Sequence, residues 1–156
     1  MFWPLLVLVF AADFLTKRLA VQYLSPAHVP HEVVGDFLRF TLAYNQDAAM
    51  GFSLGAYSRI GFTVTAIIVL VVIGAIYRRL PADSKMQGAA LALIAAGALG
   101  NLADRLMSVM GVVDFIDIGF GDSRFWTFNL ADAAVTTGAL LLLLVSMKEG
   151  KPKSVR

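Results

Sequence analysis

The chain has 156 residues, of which 58% are hydrophobic and 15% charged, with a mean hydropathy of +0.74. Soluble domains carry about 25% charged residues, so this composition excludes a polar, water-facing surface over most of the molecule and points to lipid as its solvent. The absence of cysteine excludes disulfides, thiolate ligands and thiol nucleophiles together. His28 and His31 share one polar stretch but lack the further ligands of a usual zinc site, and no metal is expected.

The first apolar run, Phe2 to Ala12, continues as an interrupted helix to about Tyr23. Its start lacks the basic region of a signal peptide, and Asp13, Lys17 and Arg18 interrupt its continuation, so it reads as a retained helix. Residues 24–58 are mixed and carry Pro26, Pro30, Gly35, Gly51 and Gly55. Within them Phe40, Leu42 and Tyr44 alternate with Thr41 and Ala43, the period of a short strand. Irregular backbone of this kind is too costly to expose to hydrocarbon, so this segment belongs at the interface or outside it.

The second span, Ile60 to Tyr77, is rich in Ile and Val and ends at Arg78 and Arg79. A polar turn, residues 80–85, leads to a third span from about Met86 to Leu106. Ala92, Ala96 and Gly100 fall four apart on that helix, a spacing that lets membrane helices approach closely. The third helix is therefore expected at the centre of a bundle. Residues 107–127 read as a second loop, and the fourth span runs from about 127 to 147.

Excess Lys and Arg marks the cytoplasmic side. Arg78, Arg79 and Lys85 flank one turn, and Lys148, Lys151, Lys153 and Arg156 fill the tail. These charges read as orienting residues rather than as a nucleic-acid surface. Both termini are then cytoplasmic, and segments 24–58 and 107–127 face outward.

Ionisable residues at membrane depth are expensive and are paired or functional. Asp13, Lys17, Asn101, Asp104, Arg105, Asp114, Asn129 and Asp132 all fall near the outer ends of the spans or in the adjoining loop. Asp13 and Lys17 are i,i+4 and can pair, as are Asn101 and Arg105, whereas Asp104 points away from Arg105 and needs another partner. Asp114 lies between Val113 and Phe115, where desolvation disfavours its charge. If Asp114 and Asp132 converge, one becomes an acid and the other a base, the machinery of an aspartic protease. Spacing alone leaves open a proton relay, which needs acids along a path through the membrane, and an adaptor, in which the charges only bind the bundle together. Asp117 and Asp122 read as ordinary loop acids.

Five motifs stand in order along the chain: Asp13-Phe14-Leu15-Thr16-Lys17, Asn45-Gln46-Asp47-Ala48-Ala49, Gly100-Asn101-Leu102-Ala103-Asp104-Arg105, Val113-Asp114-Phe115-Ile116-Asp117, and Phe125-Trp126-Thr127-Phe128-Asn129-Leu130-Ala131-Asp132. In these motifs the chain resembles the bacterial lipoprotein signal peptidases, or signal peptidases II, over nearly its whole length. The resemblance implies one membrane-embedded peptidase domain over residues 1–156, an all-α polytopic protein. Its parts are four transmembrane helices at about 3–23, 60–77, 86–106 and 127–147, a small extracytoplasmic β-cradle fitted to residues 24–58, and a short periplasmic helix. It implies an intramembrane aspartic endopeptidase that cleaves diacylglyceryl-modified prolipoproteins just before the lipid-modified cysteine. Asp114 and Asp132 correspond to the catalytic aspartates, and Asp13, Lys17, Asn45, Asn101, Arg105 and Asn129 to supporting or substrate-binding positions. No cofactor or metal and no nucleic acid is implied. Membrane phospholipids surround a monomer in the inner membrane, with the site near the periplasmic face. One motif departs from the family pattern Asn-x-Gly-Ala-Ala-Phe, with Asp47 in place of glycine and Met50 in place of phenylalanine.

Overall fold

The computed structural model describes residues 1–46 and 55–149. Among these residues the chain forms four long helices and one four-stranded antiparallel sheet: α1 (Phe2–Tyr23), β1 (Pro30–Val34), β2 (Leu38–Asn45), α2 (Ser58–Arg79), α3 (Lys85–Met107), β3 (Val112–Phe120), β4 (Ser123–Arg124) and α4 (Leu130–Glu149). The sheet makes the fold more than all-α. Three helices, α2, α3 and α4, are long and apolar enough to cross a membrane. The 22 residues of α1 match them in length, but Asp13, Lys17 and Arg18 interrupt its apolar run.

α3 packs against each of the other helices and most extensively against α4, which confirms it as the centre of the bundle. Its most apolar stretch is 56% buried, against 6% for α2. The small-residue stripe explains the difference. Ala92 and Ala96 are completely covered, and a methyl group on Gly97 or Gly138 would strike the backbone of the facing helix. Side chains this small let helix backbones touch, and that contact drives association where lipid is as apolar as leucine. Away from the sheet, Phe2 stacks on Tyr77 at 4.0 Å over Ile73, Leu91 and Ala95. Outward faces stay apolar, with Val64, Ile68 and Val71 on α2 and Leu140, Leu143 and Leu144 on α4 exposed. A continuous band of this kind marks contact with lipid.

The sheet caps the end of the bundle where α1 and α3 finish and α2 and α4 begin. β2 spans residues 38–45, where the alternation of Phe40, Leu42 and Tyr44 predicts a strand. Leu42, Val113 and Phe115 pack with Ala20 of α1 and seat the sheet on the first helix. The sequence reading needs correction at residues 107–127, which are not a plain loop: β3 is the longest strand and pairs with β2 from Leu38↔Ile118 to Asn45↔Val112. The sheet is therefore built from both outer segments rather than from residues 24–58 alone. α4 starts at Leu130 rather than near 127, because Phe128 bonds to Ile116 in both directions, at 2.8 and 3.0 Å, and runs as a short bridge beside β3. The Asp47 and Met50 departures fall outside the described residues; within the described part of 24–58 the one helical piece before α2 is a single 3-10 turn, Gly55–Tyr57.

Candidate active site

Strand alternation sets the first half of the site. Successive side chains of β3 point to opposite faces. Val113 and Phe115 enter the apolar cluster on α1, so Asp114 between them is turned the other way, into a cavity of about 800 Å3. The second half comes from the start of α4. Asn129 precedes that helix and accepts a hydrogen bond on its side-chain oxygen from the Asp132 backbone N–H at 2.9 Å. Asp132 answers with Oδ2, which accepts from the Asn129 N–H at 3.3 Å. This reciprocal pattern is a capping box, and it turns Asp132 back toward the strand. The Phe128–Ile116 bridge holds the helix start beside β3, so both carboxylates line one cavity.

Amides bind the two acids together. Asn129 Nδ2 donates to Asp114 Oδ1 at 2.6 Å and also to the Val113 carbonyl at 3.2 Å. Asn45 Nδ2, from the end of β2, donates to the other oxygen of Asp114 at 3.1 Å. Asn101 Nδ2, from α3, donates to Asp132 Oδ1 at 2.8 Å, and Asn129 Nδ2 reaches Asn101 Oδ1 at 3.2 Å. Burial and then the facing Asp132 raise the Asp114 carboxyl from its ordinary 3.8 to about 7, against the opposing pull of Asn45, Asn129 and Lys17. A proton at Asp114 is therefore available to chemistry near neutral pH.

Behind the amides lies a buried ionic cluster. Lys17 is 2% exposed and Asp13 is fully covered. The Lys17 ammonium lies 2.9 Å from Asp13, 3.0 Å from Asp104 and 2.9 Å from Asn101 Oδ1. Asp13 Oδ1 accepts the Ala131 N–H at 2.8 Å, and Asp104 Oδ2 accepts the Val113 N–H at 3.2 Å. The i,i+4 pairing of Asp13 and Lys17 is thus present, and Asp104 finds the separate partner its position demands. Removing one member of such a buried pair costs roughly 3–5 kcal/mol.

Arg105 lines the cavity from the last turn of α3. Its Nη1 donates to the Asn101 carbonyl at 3.3 Å, and its guanidinium stands 5.6 Å from the Phe62 ring centre. The eight site residues that the resemblance implies therefore meet in one region: Asn45, Asn101, Arg105, Asp114 and Asp132 on the cavity wall, and Asp13, Lys17 and Asn129 buried against it. Other wall residues, Thr136 and Thr137 among them, carry no sequence signal of their own. Gly111 was also missed. It has φ +99°, and a side chain there would collide with the carbonyl of Asn45. This glycine lets the end of β2 close on the start of β3 and so holds Asn45 over Asp114. Its place just before an apolar strand is the only hint the sequence offers.

Residues 5–148 match the family model described as Signal peptidase (SPase) II. The chain belongs to that family. Its members are aspartic-type proteases, and the family places the chain among bacterial multi-pass membrane proteins of lipoprotein processing. A lipoprotein signal peptidase of Ectopseudomonas mendocina is 41% identical over 96% of the chain and 89% of its own length. Another, from Paraburkholderia phytofirmans, is 40% identical over 92% of the chain and 81% of its own length. The relative in Streptomyces coelicolor is 40% identical over 87% of the chain, which spans 65% of that protein. A solved bacterial membrane enzyme superposes with a TM-score of 0.82 at 30% identity, covering 98% of this chain and 93% of its own.

Proposed function

We propose that the chain is an intramembrane aspartic endopeptidase that removes signal peptides from diacylglyceryl-modified prolipoproteins, with Asp114 and Asp132 as its catalytic pair. The observation that carries this reading is the meeting of two carboxylates from β3 and α4 in one cavity, with side-chain amides rather than cations as their nearest partners. A relay would continue acids down the bundle. Here the far halves of the helices are apolar, which disfavours that alternative.

Asp132 sits at a helix N-terminus, where the macrodipole favours a carboxylate, and accepts from Asn101 and the Asn129 backbone. It is the base: it takes a proton from water as the water oxygen attacks the scissile carbonyl carbon. Asp114 carries the shared proton and gives it to the carbonyl oxygen, forming a gem-diol. On collapse the C–N bond breaks, the leaving nitrogen takes the proton held by Asp132, and a gem-diol hydroxyl returns its proton to Asp114. Asn45, Asn101 and Asn129 orient the pair, and Arg105 on the cavity wall turns its guanidinium to substrate carbonyls. No metal takes part, so cleavage persists in strong chelator; loss of activity restored by a divalent ion would overturn that point.

α1 is the fourth span. Its 22 residues rise about 33 Å; Asp13 and Lys17 turn inward and are buried, while Arg18 is exposed, with its guanidinium over the Phe14 ring. The arginine pair Arg78 and Arg79, Lys85 and Lys148 stand at the end opposite the sheet, so that end is cytoplasmic, together with both termini. The sheet and cavity then lie at the periplasmic face of the inner membrane, within a single domain that acts as a monomer among phospholipids. Substrate reaches this depth laterally with its acyl chains still in lipid, where each buried methylene is worth about 0.8 kcal/mol. Purified protein is expected to cleave a diacylglyceryl prolipoprotein far faster than its unlipidated form. Equal rates would remove lipid recognition from the reading, and no cleavage of either would remove the peptidase itself.

A further inference from the structure

We infer that Lys17 is a positioning residue whose ammonium sets the separation of Asp114 and Asp132. This rests on the dyad reading above. An ammonium has three N–H donors and no acceptor, and Lys17 has three oxygens within 3.0 Å: Asp13, Asp104 and Asn101. Each is the first link of a separate path to the dyad. Asp104 Oδ2 meets Lys17 and also accepts the N–H of Val113, the residue before Asp114. Asp13 accepts the N–H of Ala131, the residue before Asp132. Asn101 donates from Nδ2 to the Asp132 carboxylate.

The third link also fixes an orientation. Only an oxygen can face the ammonium, so Oδ1 of Asn101 turns to Lys17 and its NH2 must face Asp132. Asn129 donates to the same Oδ1, which reinforces the choice. A simple ion pair needs one carboxylate. Two carboxylates and an amide on one ammonium, Asp104 tied to the Asp114 side of the dyad and Asp13 and Asn101 to the Asp132 side, form a tripod that joins the strand bearing Asp114 to the helix bearing Asp132. Lys17 is nearly sealed from solvent and lies outside the cavity wall, so it acts through these groups and not on substrate.

The test compares kcat and KM on a diacylglyceryl-modified peptide, with melting followed in detergent. The first variant is Asp13→Asn/Lys17→Met/Asp104→Asn. It removes the buried charges together and keeps a side-chain oxygen for each backbone anchor, so the protein stays folded while the tripod is lost. A kcat lowered about 100-fold with KM within about threefold is expected. A folded variant turning over within threefold of the wild type would overturn the proposal.

A second pair decides the matter if that protein does not fold. Asp104→Leu leaves Lys17 neutralised by Asp13 but cuts the path to Val113, and should lower kcat at least tenfold with KM held. Asp104→Asn, which can present an oxygen to both Lys17 and Val113, should recover most of that loss. Equal kcat in the two would sink the tripod. Asp114→Asn is measured alongside: if it still cleaves, the dyad reading fails, whereas a dead Asp114→Asn beside fully active Asp104→Leu convicts the tripod alone.

Discussion

Asp114 and Asp117 stand three residues apart on the same strand, both nearly covered, and their surroundings treat them in opposite ways. Around Asp114 are the side-chain amides of Asn45 and Asn129 and a second carboxylate, and its carboxyl rises to about 7 through burial and the facing Asp132. Around Asp117 are Arg39 at 3.1 Å, Arg124 at 2.6 Å and the Thr41 hydroxyl at 3.1 Å. Burial pushes that carboxyl up as well, but the hydrogen bonds from Arg124, Arg39 and Thr41 outweigh it and hold it below its ordinary value. Asp36 completes the rim cluster, pairing with Arg39 and Arg124 and accepting the Gly121 N–H. Neighbours therefore decide function here: amides leave an acid able to exchange a proton, and arginines lock it as an anion that holds β2, β3 and β4 together.

The comparison breaks most readily at the dyad. Asp114→Asn and Asp132→Asn should each lower kcat by about 10^3-fold or more, the scale of general acid–base catalysis, while the protein remains folded in detergent. Wild-type processing by either would refute the contrast at its root. Gly111→Ala should come next, at about 10- to 100-fold in kcat. Its positive φ and its contact with Asn45 displace the donor to Asp114 and leave the rim cluster untouched. Unchanged kcat would show that Asn45 has no part in holding the acid.

pH sharpens the same contrast. On the proposed mechanism the protonated form of Asp114 is the acid, so kcat should fall about tenfold per unit above roughly pH 7. Stability follows with the matching sign. The folded state binds the Asp114 proton more tightly than the unfolded chain, so this contribution is complete below 3.8 and is lost as pH rises through about 7. Asp117 works the other way, contributing above the ordinary carboxylate value and losing that contribution as pH falls below it. Melting curves of Asp114→Asn should lose the decline toward pH 7, and a rate profile flat to pH 9 in the wild type would contradict the acid role.

The helices were legible because their apolar runs are long and the turns between them carry charge and proline. The two acids that line the cavity, Asp114 and Asp132, stood out because acids beside Val113, Phe115 and a helix start are out of place unless paired. The sheet was half legible: the alternation over 40–44 is visible, but β3 is apolar on both faces through Val112, Val113, Phe115 and Ile116, and a continuous run of that kind has no period to read. The rim cluster was hidden for another reason. Asp36, Arg39, Asp117 and Arg124 are ordinary loop charges until antiparallel pairing sets Arg39 opposite Asp117, and register is a property of the fold and not of spacing.

That correction to Asp117 yields the last and smallest effect on catalysis. As a plain loop acid it would tolerate replacement without consequence, as the exposed Asp122 should. In the cluster it neutralises two arginines, and Asp117→Asn leaves Arg39 and Arg124 facing each other with Asp36 as their remaining carboxylate partner. Buried pairs broken from one side cost roughly 3–5 kcal/mol, and the partial exposure of both arginines reduces this to about 1–3 kcal/mol. Asp117→Asn should therefore melt earlier yet keep kcat within about threefold at temperatures well below its transition, with the limb near pH 7 unmoved. Asp122→Asn should match the wild type in both readouts. A shift of the pH limb in Asp117→Asn would mean that the rim reaches the dyad electrostatically, and the two acids of β3 would then have to be treated as one system.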